Sequence, residues 1–298
     1  MLTKPKLIVI LGPTSSGKTE LSIKLAKKFN GEVVSADSRQ VYKGMDIGTG
    51  KVTKKEMRDI PHYLLDIASP KIRFTVLQYQ KFALKAINKI NKKSKIPFLV
   101  GGTGFYIQSI VDGIVIPKVK PDWKLRARLE KKNTEELFKM LKKLDPKRAK
   151  SIDKNNRRRL IRALEIVIKT KKPVPLLKKE PPQFEVLILG IKISSDELKK
   201  LIKKRLLKRL KRGMVAEVKK LKKSGLSWKR LEEFGLEYRF VAQYLQKKLN
   251  YQEMIERIQK KSEYFAKRQM TWFKRDKRIL WIKNRQEAEK FVKKFLLC

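Results

Sequence analysis

The segment from residue 12 to residue 19 constrains the fold of this chain more than any other feature. Its sequence, G-P-T-S-S-G-K-T, matches the pattern G-x-x-x-x-G-K-[ST] in full. In such a loop the glycines let the backbone wrap a phosphate group, so that successive N–H groups point at the phosphate oxygens. Lys18 adds a positive charge, and the hydroxyl of Thr19 can bind Mg²⁺. The predicted phosphate-binding residues are Gly12, Pro13, Thr14, Ser15, Ser16, Gly17, Lys18 and Thr19.

The residues on either side of this loop supply the strand and the helix that it requires. Leu7–Leu11 is an apolar run that predicts a buried strand, and Lys18–Phe29 carries apolar residues on one helical face. Similar alternation continues to about residue 116, which is typical of a parallel sheet with crossover helices. The fold class is therefore predicted as α/β, with a P-loop NTPase-like core. The further elements predicted here are strands at Glu32–Ala36 and Pro97–Val100 and helices at Val76–Ile90 and from about Phe105.

The character of the sequence changes near Pro117. From there to about Pro182 the apolar spacing predicts helices only, and Phe184–Ile193 is apolar and β-branched, which predicts a return to the sheet. We therefore expect a core formed by residues 1–116 and 183–298, which ends in basic helices, and a helical insertion domain at 117–182. The helices expected in the insertion are Lys124–Lys132, Thr134–Leu144 and Arg157–Lys169.

The chain carries a large excess of positive charge. Lys and Arg total 76 against 29 acidic residues, which gives a formal net charge of +47 at pH 7. A charge this large favours a polyanionic partner, and nucleic acid is the first candidate. Many lysines nevertheless lie in ordinary helical runs such as Lys203–Lys204, so a general bias toward lysine could account for part of the charge. With hydrophobic residues at 41%, the chain is expected to fold.

Cys298 is the only cysteine, and it is the last residue. A single cysteine excludes an intrachain disulfide and a cysteine-based zinc site, which fits a reducing cytoplasm. No apolar run approaches the ~20 residues that a membrane span requires, and the N-terminus is too polar for a signal peptide. We therefore expect a cytoplasmic protein with no membrane partner.

Asp37 follows the second predicted strand, in the segment S-A-D-S-R-Q-V-Y at residues 35–42. A carboxylate at the carboxyl end of a parallel strand beside a P-loop faces the ligand crevice. Its position alone is compatible with three roles, namely a magnesium ligand, a general base or a helix N-cap.

Several segments together resemble one known family, the tRNA dimethylallyltransferases, also called tRNA isopentenyltransferases, in their bacterial form. The P-loop is common to many enzymes, whereas the stretch from Ser35 to Thr49 is highly specific for this family. The matching segments, spread in the family's order along the chain, are Gly12–Thr19, Ser35–Tyr42, Met45–Thr49, Pro61–His62, Gly101–Tyr106, Arg159–Glu165 and Ala266–Phe273.

The resemblance implies that the P-loop binds the diphosphate of dimethylallyl diphosphate, with Mg²⁺, rather than ATP. It implies transfer of the dimethylallyl group to the exocyclic amine of the adenosine 3′ of the anticodon, so the second partner is the anticodon stem-loop of tRNA. Such a base must leave its stacked position to reach the site. A monomer is expected.

The resemblance also implies roles for individual residues. Asp37 is the general base, and Arg205 faces the diphosphate, with Thr19 as the metal ligand. His62 and the pair Trp272 and Phe273 are expected to be structural rather than catalytic or base-stacking. The residues implied to contact the tRNA are Asp37, Ser38, Arg39, Gln40, Thr103, Arg126, Arg158, Arg159, Leu160, Ile161 and Arg162.

Three alternatives remain open from the sequence. An adenylate isopentenyltransferase acts on free AMP or ADP and needs no grip on tRNA, so the basic helical insertion argues against it. A P-loop kinase or ATPase is opposed by the match from Ser35 to Thr49. A purely RNA-binding module would leave a complete P-loop without use.

Overall fold

A computed structural model describes residues 4–176 and 178–297 of the chain, so Cys298 lies outside the described residues. The chain divides into two compact units. One comprises Met1–Gly113 together with Pro181–Cys298, and the other comprises Ile114–Glu180. The expected insertion had the bounds 117–182.

The first unit is built on a six-stranded sheet in which every pair of neighbouring strands is parallel. The strands are β1 (Lys6–Leu11), β2 (Gly31–Ala36), β3 (His62–Tyr63), β4 (Ile96–Gly101), β5 (Glu185–Ile191) and β6 (Leu280–Ile282). They lie in the order β3-β2-β4-β1-β5-β6, so the chain reverses direction across the sheet beside β1. This is a doubly wound α/β sheet with a P-loop after its first strand, which confirms the predicted fold class.

Helices cover both faces of the sheet. Five of the six residues of β1 are buried because both faces are packed. The helices of this unit are α1 (Lys18–Lys28), α2 (Lys54–Met57), α3 (Val76–Asn91), α4 (Gly104–Val111), α9 (Ser195–Lys211), α10 (Met214–Lys223), α11 (Trp228–Glu233), α12 (Leu236–Leu245), α13 (Tyr251–Phe273) and α14 (Arg285–Leu297). Among them, α3 and α4 contribute to the core on one face, and α1 and α14 contribute to the core on the other.

The C-terminal helices form a further core of their own. Residues of α10 to α13 pack around Val41, Tyr42 and Met45, which belong to the segment that follows β2. The specific motif at residues 35–49 is therefore held between the sheet and the C-terminal helices. No helix within the described ranges is long and apolar enough to cross a membrane.

The second unit consists of four helices around an apolar core. They are α5 (Trp123–Leu129), α6 (Thr134–Leu144), α7 (Pro146–Ser151) and α8 (Arg157–Thr170). α6 begins after the capping box formed by Asn133 and Glu136, and Leu137 and Leu141 are completely buried.

Four short elements were not anticipated from the sequence, namely β3, β6, α2 and α7. Strands of two or three residues are too short to carry an alternating pattern, and both join the edges of a sheet that other strands define. α7 begins with Pro146 at its first position and is capped by Asp145, whose Oδ1 accepts the N–H of Arg148 at 2.8 Å.

Candidate active site

The P-loop connects β1 to α1 in the way that the motif predicts. Gly17, the residue before α1, has φ 84°, a left-handed conformation that favours glycine. The Nζ of Lys18 donates a hydrogen bond to the carbonyl of Pro13 at 2.5 Å, within the same loop. The hydroxyl of Ser16 is buried and has no hydrogen-bond partner among the described residues.

Lys18 lies in an unusual electrostatic setting. Burial, reinforced by the nearby positive charge of Arg205, lowers its pKa to about 7, and the carboxylate of Asp37 partly offsets this change. A bound anion would favour the charged form of Lys18. The loop is therefore better suited to a polyanionic ligand than to a neutral one.

Asp37 stands directly after β2, beside the carboxyl end of the neighbouring strand β4. Its Oδ1 accepts the N–H of Arg39 at 2.8 Å and that of Gln40 at 3.3 Å. Among the described residues, its Oδ2 accepts no hydrogen bond. The two backbone bonds fix the carboxylate in an Asx turn, and the second oxygen is left to act on a ligand.

Thr103 fixes the residue that follows Asp37. Its Oγ1 accepts the N–H of Ser38 at 3.1 Å, and its own N–H donates to the carbonyl of Ala36 at 3.1 Å. Gln40 donates from Nε2 to the carbonyl of Gly50 at 3.3 Å. The structure therefore brings Thr103 to the 37–40 segment.

Arg205 reaches the P-loop from α9. Its Nη1 donates to Thr14 Oγ1 at 3.2 Å, and its Nη2 donates to the carbonyl of Gly50 at 3.3 Å. Burial and the adjacent Arg209 lower the pKa of Arg205 to about 10, so the group stays charged at neutral pH. Gly50 has φ 61°, which favours glycine, and a Cβ there would lie 2.0 Å from Arg209 Nη2 and 2.2 Å from Arg205 Nη2, so any other residue would displace both guanidinium groups.

One cavity of about 630 Å³ joins these groups. It is lined by the P-loop residues Lys18 and Thr19, by Asp37 and by Arg205. Eight cationic side chains and three carboxylates face it, so the site attracts anions. The other cationic residues of the lining are Lys51, Arg58, Lys204, Lys208, Arg209 and Arg212, and the apolar ones are Ile23, Ile47, Val52, Val100, Leu201 and Phe265.

A carboxylate from α10 holds the loop that borders this cavity. Glu217 accepts the backbone N–H groups of Asp46 at 2.8 Å, Ile47 at 2.6 Å and Gly48 at 3.0 Å. It also accepts the hydroxyl of Tyr238 at 2.7 Å. The motif at residues 45–49 thus adopts its shape around one anionic side chain.

The residues expected to contact tRNA in the second unit fall into three groups. Arg158 and Arg159 are exposed in the first turn of α8. Positive side chains are unfavourable at that end of a helix because the macrodipole is positive there, so stability alone does not explain them. By contrast, Leu160 and Ile161 are buried in the core of the unit. Their side chains offer almost no surface to RNA, so a contact at these two residues would come from the backbone, and the expectation stays a prediction.

Arg126 and Arg162 share a buried carboxylate. Glu165 accepts Arg126 Nε at 2.8 Å and Nη2 at 2.7 Å, and it also accepts Arg162 Nη1. The N–H of Asp122 donates to the same carboxylate at 2.7 Å. About a quarter to a third of each arginine side chain remains exposed, at 23% and 31%. Both arginines therefore have a structural role in this unit, whatever else they contact.

Comparisons with known proteins agree with this geometry. The family model described as IPP transferase matches residues 40–276, which is most of the chain. The chain belongs to the IPP transferase family. A tRNA dimethylallyltransferase of Carboxydothermus hydrogenoformans is 41% identical over 98% of this chain and 96% of its own length.

Solved structures of the family have the same fold. The tRNA isopentenylpyrophosphate transferase of Bacillus halodurans superposes with a TM-score of 0.75 at 35% identity, covering 99% of this chain and 97% of its own. A eukaryotic dimethylallyltransferase described as acting on tRNA superposes with a TM-score of 0.79 at 29% identity, covering 98% of this chain and 78% of its own.

His62 and the two aromatic residues near the end of α13 occupy structural positions. The Nδ1 of His62 lies 2.8 Å from the carbonyl of Ile60, and burial lowers the pKa of the ring. Phe273 is buried in the core beneath the sheet, and Trp272 packs against the same core. None of the three residues lines the cavity.

The sequence did not single out Gln269, Glu217 or the cationic row of α9. Lys204, Lys208 and Arg212 follow one another at intervals of four residues, which places them on one helical face, and all three line the cavity. That spacing was visible in the sequence. For Glu217 no local signal exists, because its partners are backbone N–H groups about 170 residues away in the chain.

Proposed function

We propose that the protein transfers a dimethylallyl group from dimethylallyl diphosphate to the exocyclic amine of the adenosine 3′ of the anticodon in tRNA. One observation carries this proposal. A single cavity brings the P-loop, the cationic Arg205 and the carboxylate of Asp37 together. Phosphoryl-group binding, leaving-group stabilisation and proton removal can therefore take place in one site.

The cationic groups of the cavity suit the donor. Ionisation of an allylic carbon–oxygen bond leaves negative charge on the diphosphate, and preorganised positive groups stabilise that charge. Lys18, bonded to the carbonyl of Pro13, and Arg205, bonded to the hydroxyl of Thr14, supply them at the same loop. The apolar residues of the lining offer contacts for the five-carbon group.

Thr19 is the proposed protein ligand of Mg²⁺. The residue lines the cavity, and a hydroxyl at this position of a P-loop can bind Mg²⁺ together with phosphate oxygens of the ligand. When bound, the ion would neutralise charge on the leaving diphosphate.

Asp37 is the proposed proton acceptor. An aromatic amine is a weak nucleophile, so a base at its proton assists attack on the allylic carbon. As the carbon–nitrogen bond forms, the carbon–oxygen bond to diphosphate breaks and the diphosphate leaves with the electron pair. The amine proton passes to the carboxylate of Asp37, whose Oδ1 is already held by two backbone N–H groups.

The acceptor is proposed to be tRNA rather than free AMP or ADP, and the enzyme is proposed to act as a monomer in the cytoplasm. The relative compared above is named for its action on tRNA. An enzyme specific for free nucleotides would have no use for Arg158 and Arg159, which are exposed at the end of α8 where the helix dipole is positive. Contacts from Asp37, Ser38, Arg39 and Gln40 to the target base and its neighbours belong to the same proposal. Other tRNA contacts are proposed for Thr103, Arg126 and residues 158–162. The target base would have to be extruded from its stack.

A labelling experiment tests this function. The protein is incubated with Mg²⁺ and radiolabelled dimethylallyl diphosphate, together with either tRNA or AMP, and label in the acceptor is measured. We expect label in tRNA only, and digestion should locate it on the adenosine 3′ of the anticodon. Label in AMP would instead identify an adenylate isopentenyltransferase. In a parallel incubation with ATP, stoichiometric ATP consumption without transfer of label would identify a kinase or ATPase.

A further inference from the structure

Gln269, on α13, spans the gap between the P-loop and the turn that follows β4. Its Oε1 accepts the N–H of Thr14 at 2.9 Å, and its Nε2 donates to the carbonyl of Gly102 at 2.8 Å. The side chain is 7% exposed. A Cβ on Gly102 would lie 2.3 Å from Nε2, so the glycine is what lets the amide approach so closely.

These contacts fix the P-loop from outside its own segment. Thr14 is held at two points, by Gln269 at its N–H and by Arg205 at its hydroxyl. A glycine-containing loop is intrinsically mobile, and a ligand that binds such a loop must otherwise supply the free energy needed to order it. The bond from the buried amide of Gln269 and the bond from Arg205 impose that order before the ligand arrives.

The two bonds from residue 269, to Thr14 and to Gly102, require a side chain whose end both accepts and donates a hydrogen bond. The amide of Gln269 does both. Methionine has nearly the same length but cannot replace either bond, and an ionised glutamate retains only the acceptor. Both backbone partners are half-buried beside the amide, so losing it leaves the N–H of Thr14 and the carbonyl of Gly102 without a protein partner.

We propose that Gln269 is a positioning residue, which holds the P-loop in the conformation that binds the diphosphate group. The inference rests on the proposed function in one respect, namely that the P-loop ligand is a diphosphate. It assigns Gln269 no contact with the reacting atoms. Its effect should therefore appear in diphosphate affinity and in the donor KM, and not in tRNA affinity.

The test compares Gln269→Met with the wild-type protein by calorimetric titration of inorganic pyrophosphate in the presence of Mg²⁺. We expect the Kd for pyrophosphate to rise roughly 10-fold, because the P-loop loses the bond that holds the N–H of Thr14 and the half-buried carbonyl of Gly102 loses its partner. The Kd for tRNA should stay within about twofold of wild type. All titrations are made at a temperature at which melting curves show each protein folded.

Gln80→Met is the matched control. Gln80 also donates from Nε2 to a backbone carbonyl, that of Ser109 at 2.8 Å, and it joins α3 to α4 away from the cavity lining. This variant should lose thermal stability but bind pyrophosphate as wild type does. A side chain that only supports the fold would give the same result at position 269. Equal pyrophosphate affinity in folded Gln269→Met and wild type would therefore overturn the proposal.

Two further outcomes separate this inference from the proposed function. If Gln269→Met does not fold, Gln269→Glu takes its place, since it retains the acceptor for Thr14 and is expected to weaken pyrophosphate binding as well. An unchanged Kd in folded Gln269→Glu would equally overturn the proposal. If wild-type protein fails to bind pyrophosphate at all, the diphosphate assignment of the P-loop is wrong, and the positioning role falls with it.

Discussion

Replacing Glu165 by glutamine should loosen the helical unit without altering the sheet. The Glu165 carboxylate is completely buried and accepts hydrogen bonds from Asp122, Arg126 and Arg162. A glutamine has one oxygen where the carboxylate has two. Whichever way the amide turns, its NH₂ group faces N–H donors that the carboxylate satisfied.

The size of the effect follows from burial. Removing one partner of a fully buried ion pair costs about 3–5 kcal/mol. Here the side chains of Arg126 and Arg162 are 23% and 31% exposed and can turn partly toward water, which lowers the expected loss to about 2–4 kcal/mol. Burial alone would raise the pKa of Glu165, but hydrogen bonds from Arg126, Asp122 and Arg162 hold it below its usual value.

The sign of the pH dependence is therefore defined. A carboxylate whose folded pKa lies below its unfolded pKa stabilises the fold above the unfolded value, and that stabilisation is lost as the pH falls through the folded value. The difference between wild type and Glu165→Gln should be largest near neutral pH and shrink in acid.

Amide hydrogen exchange followed by mass spectrometry measures the loss locally. Peptides from α8 should exchange roughly 30- to 900-fold faster in the variant, while peptides from β1 keep their protection. Glu135→Gln serves as a control that removes the same charge from an exposed site on α6, and it should leave exchange unchanged. If α8 were protected equally in Glu165→Gln and wild type, the buried carboxylate would not stabilise the unit, and the reasoning would be refuted.

Three other outcomes are expected. Asp37→Asn should lower the rate of single-turnover transfer by a factor of ~10²–10⁴ without changing tRNA affinity, because the asparagine amide retains hydrogen bonding but not basicity. A near-normal rate would exclude Asp37 as the general base. The pKa of Lys18 is about 7, so at pH 8 the free side chain is mostly neutral and gains a proton when Mg²⁺-pyrophosphate binds. The wild type should therefore absorb about one proton more on binding than Lys18→Arg does, as calorimetry in buffers of different ionisation enthalpy would show. Equal uptake in the two proteins would contradict the lowered pKa. Replacing Arg158 and Arg159 by alanine should reduce the slope of log K for tRNA binding against log salt concentration by up to about two units. The same change at Lys142 and Lys143, which are exposed on α6, should leave that slope unchanged. Equal effects of the two double variants would mean that the tRNA is attracted by diffuse charge.

Local patterns in the sequence were sufficient for the elements that surround the P-loop. Lys6–Leu11 and Lys18–Lys28 form where the apolar run and the helical spacing predict them, because a fully buried strand and an amphipathic helix each carry a pattern of their own. Thr134–Leu144 was predicted to the residue, since Asn133 and Glu136 mark its start.

The long-range contacts of the site could not be predicted in that way. Gln269 meets Thr14 across 255 residues of chain, and Glu217 meets Ile47 across 170. Their types, an amide and a carboxylate on amphipathic helices, are typical of exposed positions. The sequence was similarly misleading for Lys204. It belongs to a basic run that is typical of an exposed helix face, but in the structure it lines the cavity.

The crowding of positive charge around the cavity also bears on how a reaction cycle would end. Lys18 and Arg205 would attract the diphosphate whether or not a prenyl group is attached to it. Once detached, the diphosphate carries an additional negative charge, so the same cations hold the product more firmly than they held the donor. Departure of the product, rather than bond making, would then govern the pace of turnover. An environment in which free diphosphate is continually hydrolysed would keep such a site from remaining occupied.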